Sequence, residues 1–287
     1  MSTELKFKPR LLGIICNWCC YGGADLAGVS RFQYPPYIKL MRVMCSGRVD
    51  MKHIFRAFSQ GADGVFVGGC HLNDCHYITN GNYDALSMIQ LCRKILKHIG
   101  VNPKRLRIEW VSAGEGIRFA NIMNEFSVKM EKLGPLAGGG GIDEDELKSK
   151  LEEVTRLIPY IKLAKKEKLR FHSPDEEKYE DLFTSEEIDS LFRDVPSYYI
   201  APSKCQACMT CAKRCHAGAI LSIRNQIHVI DQEKCIKCGT CLECCPTRFG
   251  AVTKISGEPV PPPIPEAERT IVKNTEENMK ELPLLCK

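Results

Sequence analysis

The sequence predicts an α/β fold: a small parallel-sheet domain of Rossmann-like or flavodoxin-like form, a helical linker, then a compact α+β domain rich in cysteine. Three observations carry that expectation. Short apolar runs alternate with helix-patterned segments through the first half. A charged amphipathic stretch fills the middle. Two cysteine blocks of identical spacing then follow, each with four cysteines, between Cys205 and Cys245. The expected boundaries are 1–137 for the sheet domain, 138–199 for the linker, 200–256 for the cysteine-rich domain and 257–287 for an extended tail.

Taken in order, Leu11 to Cys16 (LLGIIC) is a continuous apolar run ending in cysteine, the form of a strand covered on both faces. Ile38 to Cys45 (IKLMRVMC) ends the same way after the turn-forming Pro35 and Pro36, and Val65 to Cys70 (VFVGGC) is the third such run. Arg107 to Val111 (RIEWV) is a fourth strand without a cysteine. Asp50 is placed to cap a helix over Met51 to Gln60 that stops at Gly61, and Asp84 one over Ala85 to Ile99 that stops at Gly100. A further helix runs from about Gly116 to Leu133. Strand and helix in alternation give a parallel sheet with helices on its faces.

Strands ending at Cys16, Cys45 and Cys70 would set three thiols along one carboxyl edge of the sheet, where open α/β folds build their sites. Cys19 and Cys75 belong to the same loops, so five thiols converge. Soft ligands in this number select an iron-sulfur cluster, zinc or copper(I), with a redox disulfide or structural thiols as the remaining readings. Cys92 lies inside a helix and reads as a small buried hydrophobe. Cys20 is a spare ligand, although three thiolates within five residues cannot easily all reach one binuclear centre. His71 and His76 adjoin ligand candidates; a polar loop role is expected of them rather than Rieske-type ligation.

Ser112 to Gly116 (SAGEG) lacks the third glycine and the acidic partner of a dinucleotide loop, and reads as a turn that starts the next helix beside the cysteine loops. Gly138 to Gly141, with no following Lys-Ser/Thr, reads as a flexible linker. Asp143 to Phe171 carries an amphipathic stripe that Pro159 should bend or break, and Ser185 is placed to cap a shorter helix.

Cys205, Cys208, Cys211 and Cys215 read C-x2-C-x2-C-x3-C, and thirty residues on Cys235, Cys238, Cys241 and Cys245 repeat the pattern. Three close thiolates wrap one face of a cubane while the fourth reaches the other cluster. That crossing assigns Cys205, Cys208, Cys211 and Cys245 to one 4Fe-4S cluster and Cys235, Cys238, Cys241 and Cys215 to a second. Zinc is the competing reading, but each block is longer than the paired C-x2-C of zinc sites. Residues 200–253 resemble the bacterial two-cluster ferredoxins, with Ala219–Ile223 and Gln226–Ile230 as a hairpin turned at Arg224 and Asn225. His216 stands where proline follows the second block, and reads as a turn residue; Cys244 reads as a buried bystander thiol, and Cys286, near the end of the sequence, as a bystander.

Seventeen cysteines, no signal peptide over Met1 to Leu12 and no apolar run approaching ~18 residues point to a reducing cytoplasm, metal centres and no membrane span. A net charge of +5 without a clustered Lys/Arg stripe argues against nucleic acid.

The segments CNWCCYGGADLAG, YPP with RVMCSGRVD, GADGVFVGGCHLNDCHY and WVSAGEGIRFA resemble, in that order over residues 9–135, the delta subunit of methyl-viologen-reducing hydrogenase. The resemblance implies one 2Fe-2S cluster held by four of Cys16, Cys19, Cys45, Cys70 and Cys75, without saying which. It further implies an electron-transfer subunit between a hydrogenase, formate dehydrogenase or similar oxidoreductase and a flavin-containing heterodisulfide-reductase-like partner. Two other classes compete: a redox enzyme holding its own flavin or nucleotide in the first domain, and a zinc-stabilised interaction module with a ferredoxin appended.

Overall fold

The apolar runs of the first half form one parallel sheet. In the computed structural model, which describes residues 7–136 and 143–270, β1 (Leu11–Cys16), β2 (Ile38–Val43), β3 (Gly64–Gly69) and β4 (Leu106–Trp110) lie in the order β2-β1-β3-β4. Every neighbouring pair is parallel, with Cys16 level with Val43 and Gly69 with Trp110. β1 and β3 are covered on both faces, as their unbroken apolar runs require. β2 differs from the expectation of a third buried strand: it is the sheet edge, and Lys39, Met41 and Arg42 are exposed. The opposite edge is blunted, because Arg93 Nε donates to Leu106 O (3.0 Å) and Arg118 Nε to Trp110 O (3.1 Å).

The helices of this unit are α1 (Cys20–Val29), α2 (Met51–Ser59), α3 (Asn82–His98), α4 (Gly116–Leu133), α5 (Glu144–Ala164) and α6 (Ser185–Arg193). α1 packs on α4, and α2 on α5. Asp50 caps α2 as its position predicts, accepting from Lys52 N at 2.9 Å. Three helix expectations need correction. α3 begins at Asn82, not after Asp84, because the Asn82 side chain is buried and bonded rather than left in the preceding loop. α5 runs through Pro159: its stripe of Leu147, Leu151, Val154, Leu157, Ile158 and Ile161 is buried on both sides of the proline, and that packing outweighs the one lost backbone bond. α6 is capped by Thr184 instead of Ser185, with Glu187 N bonded to Thr184 Oγ1 and Thr184 N to Glu187 Oε2. The Gly138–Gly141 linker and Cys286 lie outside the described residues.

The chain divides into two compact units, residues 1–192 and 193–287. In the second, β5 (Ser197–Ile200) pairs antiparallel with β8 (Val252–Ile255), and β6 (Ile220–Leu221) with β7 (Val229–Ile230). Two short helices, α7 (Thr210–Arg214) and α8 (Thr240–Cys244), sit thirty residues apart. The repeat extends to the backbone: Ala207 and Lys237 both have positive φ, as do Met209 and Gly239, so each cysteine loop turns by the same left-handed steps. The β6–β7 hairpin is shorter than Ala219–Ile223 with Gln226–Ile230, because Ile227 N bonds Arg269 O and Gln226 bridges Thr270 instead of the facing strand. Of the proline-rich segment, Val260, Pro261, Pro263 and Ile264 line a hollow with Tyr199, Ile200, Val229 and Ile230.

Candidate metal centres

β1 delivers Cys16 at its last residue, β3 delivers Cys70 immediately after it, and β2 delivers Cys45 two residues past its end. The parallel register levels these strand ends, so the three thiols meet at one edge. The β1–α1 turn adds Cys19 and the loop after β3 adds Cys75. The structure thus brings all five predicted cysteines together. Cys16 Sγ and Cys70 Sγ lie 3.8 Å apart without a disulfide, Cys19 lies within electrostatic reach of Cys70, Cys16 and Cys75, and Cys45 within that of Cys75 and Cys16. All are buried except the half-buried Cys19.

Their protonation is graded. Cys16 is lowered to about 6, first by the hydrogen bond from Cys70 and then by the amides of Cys20, Cys19 and Trp18, which together outweigh burial. Those amides open α1, and a helix amino terminus is a ready anion site. Cys70, the donor to Cys16, is raised in consequence. Burial lifts Cys45 to about 11 and raises Cys19. Such burial favours the neutral thiol until a cation is present, and thiolate ligation supplies one. Five convergent sulfurs fit the soft iron of an iron-sulfur cluster.

Around the thiols the remaining predicted residues sort themselves. Cys20 is fully buried on α1 against β3, where a β-carbon added at Gly68 would stand 2.3 Å from its Sγ. It therefore packs behind the sheet while its N–H donates to Cys16 Sγ (3.3 Å). Cys92 is buried in α3 against Met88. His71 Nε2 lies 2.6 Å from Glu115 Oε2, and Glu115 is held down to about 2 by the Ser112 amide and then by His71. The SAGEG segment is accordingly a carboxylate-braced turn into α4. His76 is exposed and stacks on Trp18 (4.2 Å between centroids).

Asn82, which no motif in the sequence singles out, joins the site. Its Nδ2 donates to Cys70 O (2.9 Å) and His71 O (2.6 Å), fixing the loop that carries Cys70. The signal was present as an asparagine at a helix start following glycine. Gly81 is also constrained: a β-carbon there would meet Cys75 Sγ at 2.2 Å.

In the second unit, Cys211 lies within electrostatic reach of Cys205, Cys208 and Cys244, and Cys241 within that of Cys235, Cys238 and Cys211. Cys215 lies within electrostatic reach of Cys235, and its Sγ accepts from Ala219 N at 3.3 Å. Burial pushes both Cys211 and Cys241 up to about 12. Thr210 Oγ1 and Thr240 Oγ1 approach Cys208 and Cys238 at 3.5 and 3.3 Å, one threonine for each block. Cys244 is half-buried rather than buried, with Sγ bonded to Cys241 O (3.6 Å). His216 is exposed in its turn. His228, unremarked in the sequence, is 1% exposed with Nδ1 at 3.4 Å from Cys211 Sγ. Its position thirty residues after Tyr198, in step with the cysteine repeat, was the available signal. Among the described residues, no three His, Cys, Asp or Glu side chains close on a single-ion position; in both units the thiols stand more openly.

Comparison with known proteins bears on the first unit. The family described as methyl-viologen-reducing hydrogenase, delta subunit, matches residues 11–134. An iron-sulfur subunit of the F420-non-reducing hydrogenase of Archaeoglobus profundus is 51% identical over 135 residues, 47% of this chain and 96% of that protein. An iron-sulfur subunit of the F420-non-reducing hydrogenase vhc of Methanococcus voltae is 47% identical over 142 residues, 48% of this chain and 98% of that one. A subunit of the ferredoxin/F420H2-dependent CoB-CoM heterodisulfide reductase of Methanosarcina acetivorans is 44% identical over 148 residues, 52% of this chain but 18% of that protein. The cysteine blocks of the second unit lie beyond the family match.

Proposed function

This chain belongs to the methyl-viologen-reducing hydrogenase delta subunit family, and from that premise we propose that it is an iron-sulfur electron-transfer subunit of a hydrogenase- or heterodisulfide-reductase-type complex. The observation that carries the reading is the convergence of Cys16, Cys19, Cys45, Cys70 and Cys75 on one sheet edge. Four of the five hold a 2Fe-2S cluster. The second unit is a bacterial-type two-cluster ferredoxin module: Cys205, Cys208, Cys211 and Cys245 hold one 4Fe-4S cluster, and Cys235, Cys238, Cys241 and Cys215 the other. The charge interaction between Cys215 and Cys235 supports this crossing at the second cluster.

Bound clusters supply one-electron chemistry, at potentials set by ligands, burial and hydrogen bonds to sulfur. The protein's own residues prepare for it. The amides opening α1 stabilise negative charge at Cys16, and Asn82 fixes the backbone at Cys70 and His71. Burial of Cys16, Cys45, Cys70 and Cys75 keeps water from the ligands. The partners are a flavin-containing heterodisulfide-reductase-like protein on one side and a hydrogenase, formate dehydrogenase or similar oxidoreductase on the other, in the cytoplasm. Among the described residues, no helix is long and apolar enough to cross a membrane.

Anoxic isolation of the tagged chain from its source, followed by identification of the proteins that accompany it, tests this. The expected companions are a flavoprotein and a component of a hydrogenase or formate dehydrogenase, and the reduced chain should pass electrons to that flavoprotein. A chain that arrives with no redox partner and whose reduced clusters do not react with one overturns the proposal.

A further inference from the structure

We propose that His228 donates its Nδ1–H to Cys211 Sγ and so holds the 4Fe-4S cluster of the first cysteine block at a higher potential than the cluster of the second block. The inference rests on the two-cluster reading above. His228 is enclosed, its Nδ1 lies 3.4 Å from Cys211 Sγ, and its Nε2 is buried without a hydrogen-bond partner. A neutral imidazole carries one proton, on either ring nitrogen. Placed on Nε2, that proton would be a buried donor without an acceptor and the sulfur would go unsatisfied; placed on Nδ1, it meets a thiolate. Accounting for polar groups thus selects the tautomer that points at sulfur.

The repeat makes the contact asymmetric. Tyr198 is the thirty-residue counterpart of His228, buried beside Cys235, Cys238 and Cys241 as His228 is buried beside Cys211. The Tyr198 hydroxyl stands over Gly239, with no hydrogen bond to those sulfurs among the described contacts. One cluster therefore receives an N–H dipole aimed at a ligand sulfur and the other receives a phenol ring. An N–H dipole stabilises the extra negative charge of the reduced cluster, which raises its potential. Two cubanes with matching ligand loops are made unequal, and electrons settle preferentially on the one held by Cys205, Cys208 and Cys211.

The test uses the full chain, reconstituted anoxically, with wild type, His228→Phe and His228→Gln compared by EPR-monitored redox titration alongside iron and sulfide analysis. His228→Phe should move one 4Fe-4S potential downward by about tenfold in the oxidised-to-reduced ratio, ~59 mV for a one-electron couple, and leave the other in place. His228→Gln, which keeps an amide donor, should fall less. Pulsed EPR of the wild type should detect an imidazole nitrogen coupled to one reduced cubane; this readout stands even if a variant fails to assemble. Both cubanes present with neither potential moved, both moved equally, or no nitrogen coupling in the wild type overturns the His228 proposal alone. A second unit that binds no 4Fe-4S cluster overturns the two-cluster reading as well.

Discussion

Cys20 and Gly68 offer a double substitution whose outcome separates a packing cysteine from a ligand. Gly68→Ala would set a methyl 2.3 Å from Cys20 Sγ, 2.9 Å from Phe66 Cε1 and 3.2 Å from Ile15 Cγ2, in a core where Cys20 has no exposed surface into which to retreat. Overpacking of this kind costs ~1–3 kcal/mol. Cys20→Ala removes one buried sulfur and leaves a small void, at a cost of about 1 kcal/mol. Independent effects would sum to ~2–4 kcal/mol, but the methyl introduced by Gly68→Ala enters the space the sulfur leaves, so the pair should cost about 1–2 kcal/mol less than that sum. Trp18 and Trp110, the protein's two tryptophans, both lie in the first unit, so their fluorescence during denaturant unfolding reports this unit. Iron and the 2Fe-2S EPR signal are measured on the same samples. Loss of the signal in Cys20→Ala would make Cys20 a ligand, and costs that simply add would show that the two side chains do not share this space; either outcome refutes the packing role of Cys20.

Other substitutions follow from the same geometry. Gly81→Ala should displace Cys75, whose Sγ would be 2.2 Å from the new methyl, and diminish first-unit iron without removing any thiol; full iron with an unchanged spectrum would contradict it. Cys70→Ser removes the thiol whose Sγ lies 3.8 Å from Cys16 Sγ, so the 2Fe-2S signal should vanish and iron fall from about ten to about eight atoms per chain, with both 4Fe-4S signals retained. For Asp50, burial raises the carboxyl pKa, but Lys162 and the Lys52 amide outweigh it and leave it below the ordinary value. A depressed carboxyl contributes stability above its unfolded pKa and loses it as pH falls through the folded one. The deficit of Asp50→Ala against wild type, about 1 kcal/mol at neutral pH, should therefore shrink below about pH 4; a gap that is constant or widens toward acid would refute this.

The parallel sheet and its cysteine edge were legible because each apolar run stops at or beside a thiol, so strand period and ligand position are written in the same letters. What stayed hidden depends on neighbours distant in sequence. Nothing local in IKLMRV says that β2 is an edge, since strand order is decided by which run pairs with LLGIIC. Pro159 looked like a break because the packing that carries α5 past it is tertiary. Thr184 and Ser185 are equally good caps by composition, and only the reciprocal bond with Glu187 chooses between them. The β6–β7 hairpin gave up length to the segment at Arg269 and Thr270, some forty residues later. His228 became visible only when the cysteine period was carried back beyond the cysteines.

Iron and acid-labile sulfide, determined with EPR and Mössbauer spectra on the anoxically purified full-length chain, show whether both units carry clusters. About ten of each per chain, one 2Fe-2S and two 4Fe-4S clusters, and no flavin are expected. Stoichiometric zinc in the first unit, or iron confined to about eight atoms in the second, would contradict this.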